Sequence, residues 1–247
     1  TVQLKASASY YNLPVHFDSD AVVYTLEGDV GMVDATGLFT AGTGGGATGT
    51  LTVSVGGCSK QIPVTVNGFT DTVGHWAKDY IKDLFEKGVV TGVTANTFEP
   101  ESSIKRCDFV LMLHRAAGKP AAAAPSTFTD ILPDDYYAEA LAWAEGSGIA
   151  QGTGDGLFNP QAVLTREQAF TLVYRAFATL GIAYTDGTAE NLAAFSDAGT
   201  LSDYAVTPTA TLIGMEIVNG SDGLLSPQAE MTRAQMAKIL DVVLNLK

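Results

Sequence analysis

The sequence predicts two parts of different fold class, an N-terminal β-sandwich over residues 1–67 and a separate all-α region over residues 68–247. In the first part apolar and polar side chains alternate, which is typical of half-buried strands. From residue 69 onward apolar residues recur at helical spacing, and a set of short motifs returns three times. The predicted fold class is therefore α plus a separate β domain.

Composition limits the classes of function. The chain has 247 residues, of which 46% are hydrophobic, so it can bury a sizeable core. Its net charge of −13 argues against a nucleic-acid partner, because phosphate binding needs basic surface. No apolar run approaches the roughly 18 residues of a membrane helix, so we expect no membrane insertion. The start at Thr1 reads as that of a mature or trimmed fragment.

Cysteine and histidine usage indicates neither a redox centre nor a metal site. Cys58 and Cys107 lie far apart and match no metal or redox spacing. They either pair or remain two buried thiols, and we expect two thiols. The three histidines share no ligand spacing. We expect no catalytic residues, no metal and no cofactor.

Alternation in the N-terminal part is clearest at residues 51–55 and 62–66, which a glycine-containing connection over 56–61 joins as a hairpin. Two shorter strands flank a turn within residues 33–40. The glycine-rich stretch 42–49 is predicted to be flexible, and no Lys-Ser/Thr pair follows it as in a phosphate loop. These strands predict a small β-sandwich.

Three copies of one unit follow, at about residues 69–118, 128–180 and 195–247. Each copy opens with a Phe-x-Asp motif, carries an aromatic residue near the start of a first helix, and has a glycine after that helix. The aspartates are Asp71, Asp130 and Asp197, the aromatic residues Trp76, Tyr137 and Tyr204, and the glycines Gly92, Gly152 and Gly220. A two-helix unit cannot bury its apolar face alone, so the copies should pack around a shared centre.

The second helix of each copy begins at an arginine: Arg106, Arg166 and Arg233. Thr165 and Thr232 stand before a Gln at capping-box spacing, whereas Lys105 replaces this threonine in the first copy. A cation is unfavourable at a helix start because of the helix dipole, which suggests a role other than stability. An arginine beside free helix N–H groups suits a carboxylate or phosphate.

The third copy departs most from the pattern. Pro208 lies inside its first helix and is predicted to bend or break it. Glu216 stands where a helix-ending glycine is expected, so this helix end should be strained or reshaped.

Two family resemblances follow from these residues. Residues 33–42 and 51–66 resemble bacterial immunoglobulin-like domains of group 2, which implies an immunoglobulin-like sandwich acting as a spacer or adhesion module. The repeated motifs over 69–247 resemble S-layer homology (SLH) motifs. That resemblance implies a three-motif helical pseudo-trimer that anchors exported proteins to secondary cell-wall polysaccharide. The ligand it implies is a pyruvate-ketal-bearing N-acetylmannosamine, bound in grooves between motifs.

The resemblance also implies a ligand-binding set drawn from all three copies. It comprises Arg106, Arg166, Arg233, Asp71, Asp130, Asp197, Trp76, Tyr137, Tyr204, Thr165, Thr232, Gly92, Gly152 and Gly220. Two alternatives stay open: the arginines could instead be structural and paired with an aspartate, and the aromatic residues could belong to the core. The pockets of Arg166 and Arg233 are favoured over that of Arg106, whose helix lacks the capping box.

The function expected is a non-catalytic anchor of a secreted protein at the cell wall or S-layer surface. One alternative is the C-terminal anchor of a larger secreted carbohydrate-active enzyme. A second alternative is a structural S-layer subunit whose partners include other S-layer subunits.

Overall fold

The computed structural model describes residues 1–42, 47–66 and 68–246. The chain divides into two compact units. One comprises Thr1–His75 with Gly92–Phe98, and the other comprises Trp76–Thr91 with the chain from Glu99 onward. Among the described residues, no helix combines the length and the apolar character needed to cross a membrane.

The N-terminal strands form three small antiparallel sheets, in the orders β1-β6-β5, β2-β3 and β4-β7-β8. The strands are β1 (Val2–Gln3), β2 (Ala8–Tyr10), β3 (Leu13–Val15), β4 (Val23–Glu27), β5 (Gly31–Val33), β6 (Leu38–Ala41), β7 (Thr48–Val55) and β8 (Cys58–Thr65).

The two predicted turns of this part are confirmed. Gly56 and Gly57 join β7 to β8 with φ angles of 55° and 81°, so the hairpin connection is shorter than predicted. Between β5 and β6 the Asp34 carboxylate accepts hydrogen bonds from the backbone N–H groups of Thr36 and Leu38, both at 2.9 Å. Of the predicted flexible stretch 42–49, residues 43–46 lie outside the described residues.

The predicted immunoglobulin-like β-sandwich is wrong. A sandwich needs two sheets whose apolar faces stack on each other. Within the described residues of 1–66, Val22, Val30 and Leu51 are the only buried apolar side chains, while many strand residues such as Met32 and Ile62 are exposed. An open cavity of about 1130 Å³, lined by Tyr24 among others, lies between the strands. Alternation along each strand therefore forms local sheets without the shared core of a sandwich.

The described C-terminal part contains seven α-helices, two in each copy and one extra. They are α1 (Lys78–Glu86), α2 (Arg106–Ala116), α3 (Ala138–Gly146), α4 (Arg166–Leu180), α5 (Ala189–Leu192), α6 (Asp203–Gly214) and α7 (Arg233–Leu244). The short α5 lies in the linker before the third copy, where the sequence predicted no helix. α6 continues through Pro208 without a break. Glu216 has a φ of 59°, the strained left-handed conformation expected where a glycine is missing.

The three copies meet at Ile104, Leu164 and Met231, the residues two before each motif arginine. Their backbones form a closed ring of hydrogen bonds: Ile104 N–H donates to Met231 O at 2.9 Å, Met231 N–H to Leu164 O at 2.9 Å, and Leu164 N–H to Ile104 O at 3.0 Å. Each of the three side chains is at most 1% exposed. The ring gives the copies a common centre with approximate threefold symmetry.

A carboxylate pair, one member of which is buried, joins the first copy to the third, where α1 packs on α7. Asp241 is 8% exposed and lies beside Asp83, and the Nζ of Lys87 is 4.0 Å from Asp241 Oδ1. At that distance Lys87 makes no hydrogen bond, and no group in the described part of the chain donates one to that oxygen. Burial, together with the neighbouring Asp83 carboxyl group, raises the pKa of Asp241 to about 6.

We expect Asp241→Asn to remove a loss of stability that the wild type suffers between about pH 4 and pH 6. Because the folded-state pKa of Asp241 is raised, its stabilising contribution to the free energy of unfolding is present at low pH and disappears as pH rises through about 6. Hydrogen bonding with Asp241 and Lys87 lowers the pKa of Asp83, so that group acts only at more acidic pH. Relative to the wild type, the variant should gain about 1–3 kcal/mol at pH 8.

Thermal unfolding followed by circular dichroism at about pH 4 and pH 8, on either side of the raised pKa of Asp241, measures this difference. Asp79→Asn, on the exposed side of α1, is the matched control because it removes the same charge. An Asp241→Asn variant with the pH profile of the wild type would contradict the assignment.

Candidate functional site

The starts of the second helices have the capping that the sequence predicts. Thr165 accepts a hydrogen bond from Gln168 N–H at 3.4 Å while Thr165 N–H donates to Gln168 Oε1 at 3.2 Å. Thr232 and Gln235 repeat this capping box on α7. Lys105 makes no side-chain cap on α2, which confirms that the first copy has lost the box.

The amides at these helix starts are occupied, so the prediction that they are free anion donors is wrong. The N–H groups of Arg106, Arg166 and Arg233 each donate at 2.9 Å to a carbonyl of a neighbouring copy, at Ala162, Ala229 and Ser102 respectively. The next N–H in each helix donates to a proline carbonyl, at Pro160, Pro227 and Pro100. These bonds hold the copies together, and a ligand has to be bound by side chains instead.

Each motif arginine reaches a neighbouring copy and donates to a backbone carbonyl there. Arg106 donates through Nε to Phe158 O at 2.8 Å and lies 4.5 Å from the centre of the Phe158 ring. Arg166 donates through Nε to Leu225 O at 2.8 Å. Arg233 donates through Nη2 to Thr91 O at 3.1 Å. Burial lowers the pKa of both Arg106 and Arg166. The arginines are therefore structural contacts of the turns as well as candidate ligand residues.

The motif aspartates fix the same turns from the other side. Asp130 accepts hydrogen bonds from Phe158 N–H at 2.9 Å and Asn159 N–H at 2.7 Å. Asp197 accepts from the N–H groups of Leu225 and Ser226, and Asp71 accepts from Phe98 N–H. Phe158 is thus held by Asp130 at its N–H and by Arg106 at its carbonyl. Within the described residues, neither Arg106 nor Arg166 forms the ion pair with an aspartate that the structural alternative required.

The Asp197 carboxylate illustrates how turn and arginine are coupled electrostatically. Burial raises its pKa, but hydrogen bonds from the backbone of Leu225 and Ser226 and the charge of Arg166 hold the pKa below its usual value. Asp197 therefore remains ionised and stabilises the Arg166 side chain without touching it.

The three motif aromatic residues occupy different environments. Tyr137 is 4% exposed and packs edge-on against Tyr136, with ring centres 4.9 Å apart, as the core alternative expected. Tyr204 is 47% exposed, and its hydroxyl donates to Glu167 Oε1 at 2.8 Å. Trp76 is 54% exposed.

The motif glycines allow close packing of the Phe-x-Asp openings. A Cβ atom on Gly152 would lie 2.9 Å from Phe128 Cε1, and one on Gly220 would lie 2.5 Å from Phe195 Cε1. Gly92 has the same relation to Phe69, at 2.6 Å. At these positions any side chain would displace the phenylalanine ring from the turn.

In the described part of the chain, grooves lie beside two of the motif arginines, Arg106 and Arg166. The first groove has a volume of about 390 Å³ and is lined by Arg106, Gln151, Gly152, Thr153, Gln168, Thr171, Leu172, Arg175 and Tyr204. The second groove has a volume of about 320 Å³, and its lining includes Arg166, Gly220, Glu230, Gln235, Lys238 and Ile239. The structure thus brings Arg106, Gly152 and Tyr204 together, and separately Arg166 and Gly220.

Sequence reasoning missed the basic residues that lie further along the second helices. Arg175 of α4 lines the first groove and Lys238 of α7 lines the second. A signal was present for one of them, because Arg115 and Arg175 occupy the same position in α2 and α4. That repetition carries no information about which side of the helix faces a groove.

Comparison with known proteins identifies the repeats. The S-layer homology domain pattern matches residues 68–110, 127–170 and 194–237. The chain belongs to the S-layer homology family. These three matches coincide with the copies that carry Arg106, Arg166 and Arg233.

Individual relatives are similar over the same region. The chain is 32% identical over 175 residues to an amylopullulanase of Thermoanaerobacterium thermosulfurigenes, which covers 70% of the chain and 9% of the relative. It is 27% identical over 189 residues to a surface-layer 125 kDa protein of Lysinibacillus sphaericus, which covers 73% of the chain and 15% of the relative. A cellulosome-anchoring protein of Acetivibrio thermocellus is 41% identical over 69 residues, which covers 28% of the chain and 15% of the relative.

The chain therefore spans less than a fifth of the length of these relatives. S-layer homology membership and the S-layer relatives place it at the cell surface and support a role in attachment to the cell wall.

Proposed function

We propose that this chain attaches an exported protein to the cell wall by binding acidic, pyruvate-ketal-bearing ends of secondary cell-wall polysaccharide in the grooves between its SLH motifs. The observation that carries the proposal is the pair of open grooves beside Arg106 and Arg166. Each groove concentrates basic and amide side chains in a chain whose net charge is −13. A sugar carboxylate is bound there by local charge against the overall field.

Two sites on one chain strengthen attachment to a polymer. When one groove holds a polysaccharide end, the second groove meets further ends at a raised effective concentration. Weak individual binding therefore gives firm retention on the wall, which suits a non-covalent anchor.

The whole protein is proposed to be larger than this chain. Among the relatives are an amylopullulanase, an endoglucanase and a surface-layer protein, and in each the similar region is a small share of the length. We propose that this chain is the anchor of such a protein and takes no part in the chemistry of any attached catalytic domain.

Binding to purified wall polysaccharide tests the proposed function. We expect the chain to bind native polysaccharide and to lose about tenfold or more in affinity when the pyruvate ketals are removed by mild acid, because one charge-assisted contact is worth about 1.5–3 kcal/mol. Isothermal titration calorimetry measures both affinities. A free pyruvylated N-acetylmannosamine should compete with the native polymer. Absence of binding to the native polysaccharide would refute the proposal.

A further inference from the structure

Arg175 is a half-buried arginine whose guanidinium group has no partner among the described residues. It lies on α4 and lines the first groove. Across residues 1–42, 47–66 and 68–246, no hydrogen bond or ion pair holds its guanidinium group. The chain carries 27 acidic residues, so the lack of a carboxylate beside this cation is unexpected. Burying an unpaired charge, even partly, costs free energy that a ligand anion recovers.

Arg106, in contrast, is already engaged. Its Nε donates to Phe158 O at 2.8 Å and its Nη2 to Gln151 O at 3.4 Å, and only 6% of the residue is exposed. Its orientation is set by the turn it binds. Among the described residues, the guanidinium of the first groove whose donors are all uncommitted is therefore that of Arg175.

The surroundings of Arg175 suit a sugar that carries a carboxylate. The planar guanidinium donates two parallel hydrogen bonds to a carboxylate, which an ammonium group cannot do. Gln168 also lines the groove, and its Oε1 already accepts from Thr165 N–H, which leaves its Nε2 to donate. The half-exposed ring of Tyr204 adds an apolar surface for a sugar face.

The second groove has a different charge balance. Val242 occupies the position of Arg175, and the half-buried Lys238 supplies the cation one turn earlier. Glu230 also lines this groove, with its carboxylate accepting a hydrogen bond from the Ser103 hydroxyl. Arg166 also lines this groove, but its Nε and Nη1 already donate to Leu225 O and Gln235 Oε1. The remaining cation is an ammonium group opposed by a carboxylate, which binds an anion more weakly than an unopposed guanidinium.

We propose that Arg175 binds the carboxylate of the acidic sugar, that the first groove is the stronger of the two sites, and that Arg106 is a positioning residue. This inference rests on the proposed function. From the capping pattern the sequence favoured the pockets of Arg166 and Arg233 over that of Arg106, and this inference reverses that preference. The reason is that Arg175 lies further along its helix, so its availability does not depend on a capping box.

The test compares four variants in calorimetric titrations against native and depyruvylated wall polysaccharide. Arg175→Met should lower the affinity for native polysaccharide about tenfold and leave that for depyruvylated polymer unchanged, because only the carboxylate contact is lost. The affinity of Arg175→Lys for native polysaccharide should lie between those of Arg175→Met and the wild type. Lys238→Met should lower the affinity for native polysaccharide by about threefold or less. Lys82→Met, which removes the same charge at a side chain that is 62% exposed, should match the wild type.

The outcomes separate the two proposals. If the wild type binds neither polymer, the proposed function fails. If the wild type prefers native polymer and both Arg175 variants bind it as the wild type does, anchoring stands and the role of Arg175 is refuted. Melting temperatures are measured alongside, and should Arg175→Met fail to fold, Arg175→Lys alone decides. An effect of Lys238→Met larger than that of the Arg175 variants would refute the ranking of the grooves.

Discussion

Leu164→Ala should destabilise the helical unit by about 3–5 kcal/mol, the largest effect we expect from a single truncation. Leu164 is fully buried, and its backbone takes part in the hydrogen-bonded ring with Ile104 and Met231. The backbone around this side chain is held by that closed ring of hydrogen bonds, so the cavity left by the truncation should persist. A loss of this size lowers the melting temperature by about 6–20 °C in a domain of this length.

Urea or thermal unfolding followed by helical circular dichroism measures the change. Leu224→Ala is the matched control because it removes the same atoms from a side chain that is 41% exposed. We expect the control to change stability by less than about 1 kcal/mol. Equal losses in the two variants would show that the centre of the three copies contributes no special stability.

Arg106→Met should destabilise the helical unit by about 2–4 kcal/mol. The variant keeps most of the aliphatic volume but removes the guanidinium that donates to Phe158 O and lies against the Phe158 ring. The buried carbonyl then loses its partner, and Asp130 holds the turn alone.

Arg175→Met provides the matched control for Arg106→Met, since the chemical change is identical and the guanidinium of Arg175 has no partner within the described chain. Its melting temperature should stay within about 2 °C of the wild type, whereas that of Arg106→Met should fall by several degrees. A stable Arg106→Met variant that has lost polysaccharide binding would instead make Arg106 the ligand residue and contradict its structural role.

Much of the local structure was predictable because its signals come from neighbouring residues. The capping boxes at Thr165 and Thr232, the turn after β7 and the strained Glu216 each depend on a few neighbouring residues. The repetition of the Phe-x-Asp and Arg motifs identified three units before any coordinates were considered. Local chemistry of this kind is encoded residue by residue, so the sequence reveals it directly.

Errors arose where the outcome depends on residues far apart. The sandwich was wrong because alternation predicts strands but not whether two sheets stack, and in this chain few apolar strand residues are buried. The helix-start amides were expected to be free because their partners, such as Ala162 O for Arg106 N–H, belong to another copy. The thiols were expected to be buried, yet Cys58 is exposed while Cys107 is buried, and both are free.

By itself the sequence determined the three-copy organisation, the positions of the second helices and the family, because periodicity, capping and repeated motifs are properties of contiguous residues. Only the tertiary structure decided which basic side chains are available to a ligand. Arg106 and Arg166 donate to carbonyls supplied by the next copy, while Arg175 and Lys238 face the grooves between copies. The physical reason is that a donor's availability depends on the acceptors around it, and in this protein those acceptors lie some 50 to 60 residues away along the chain.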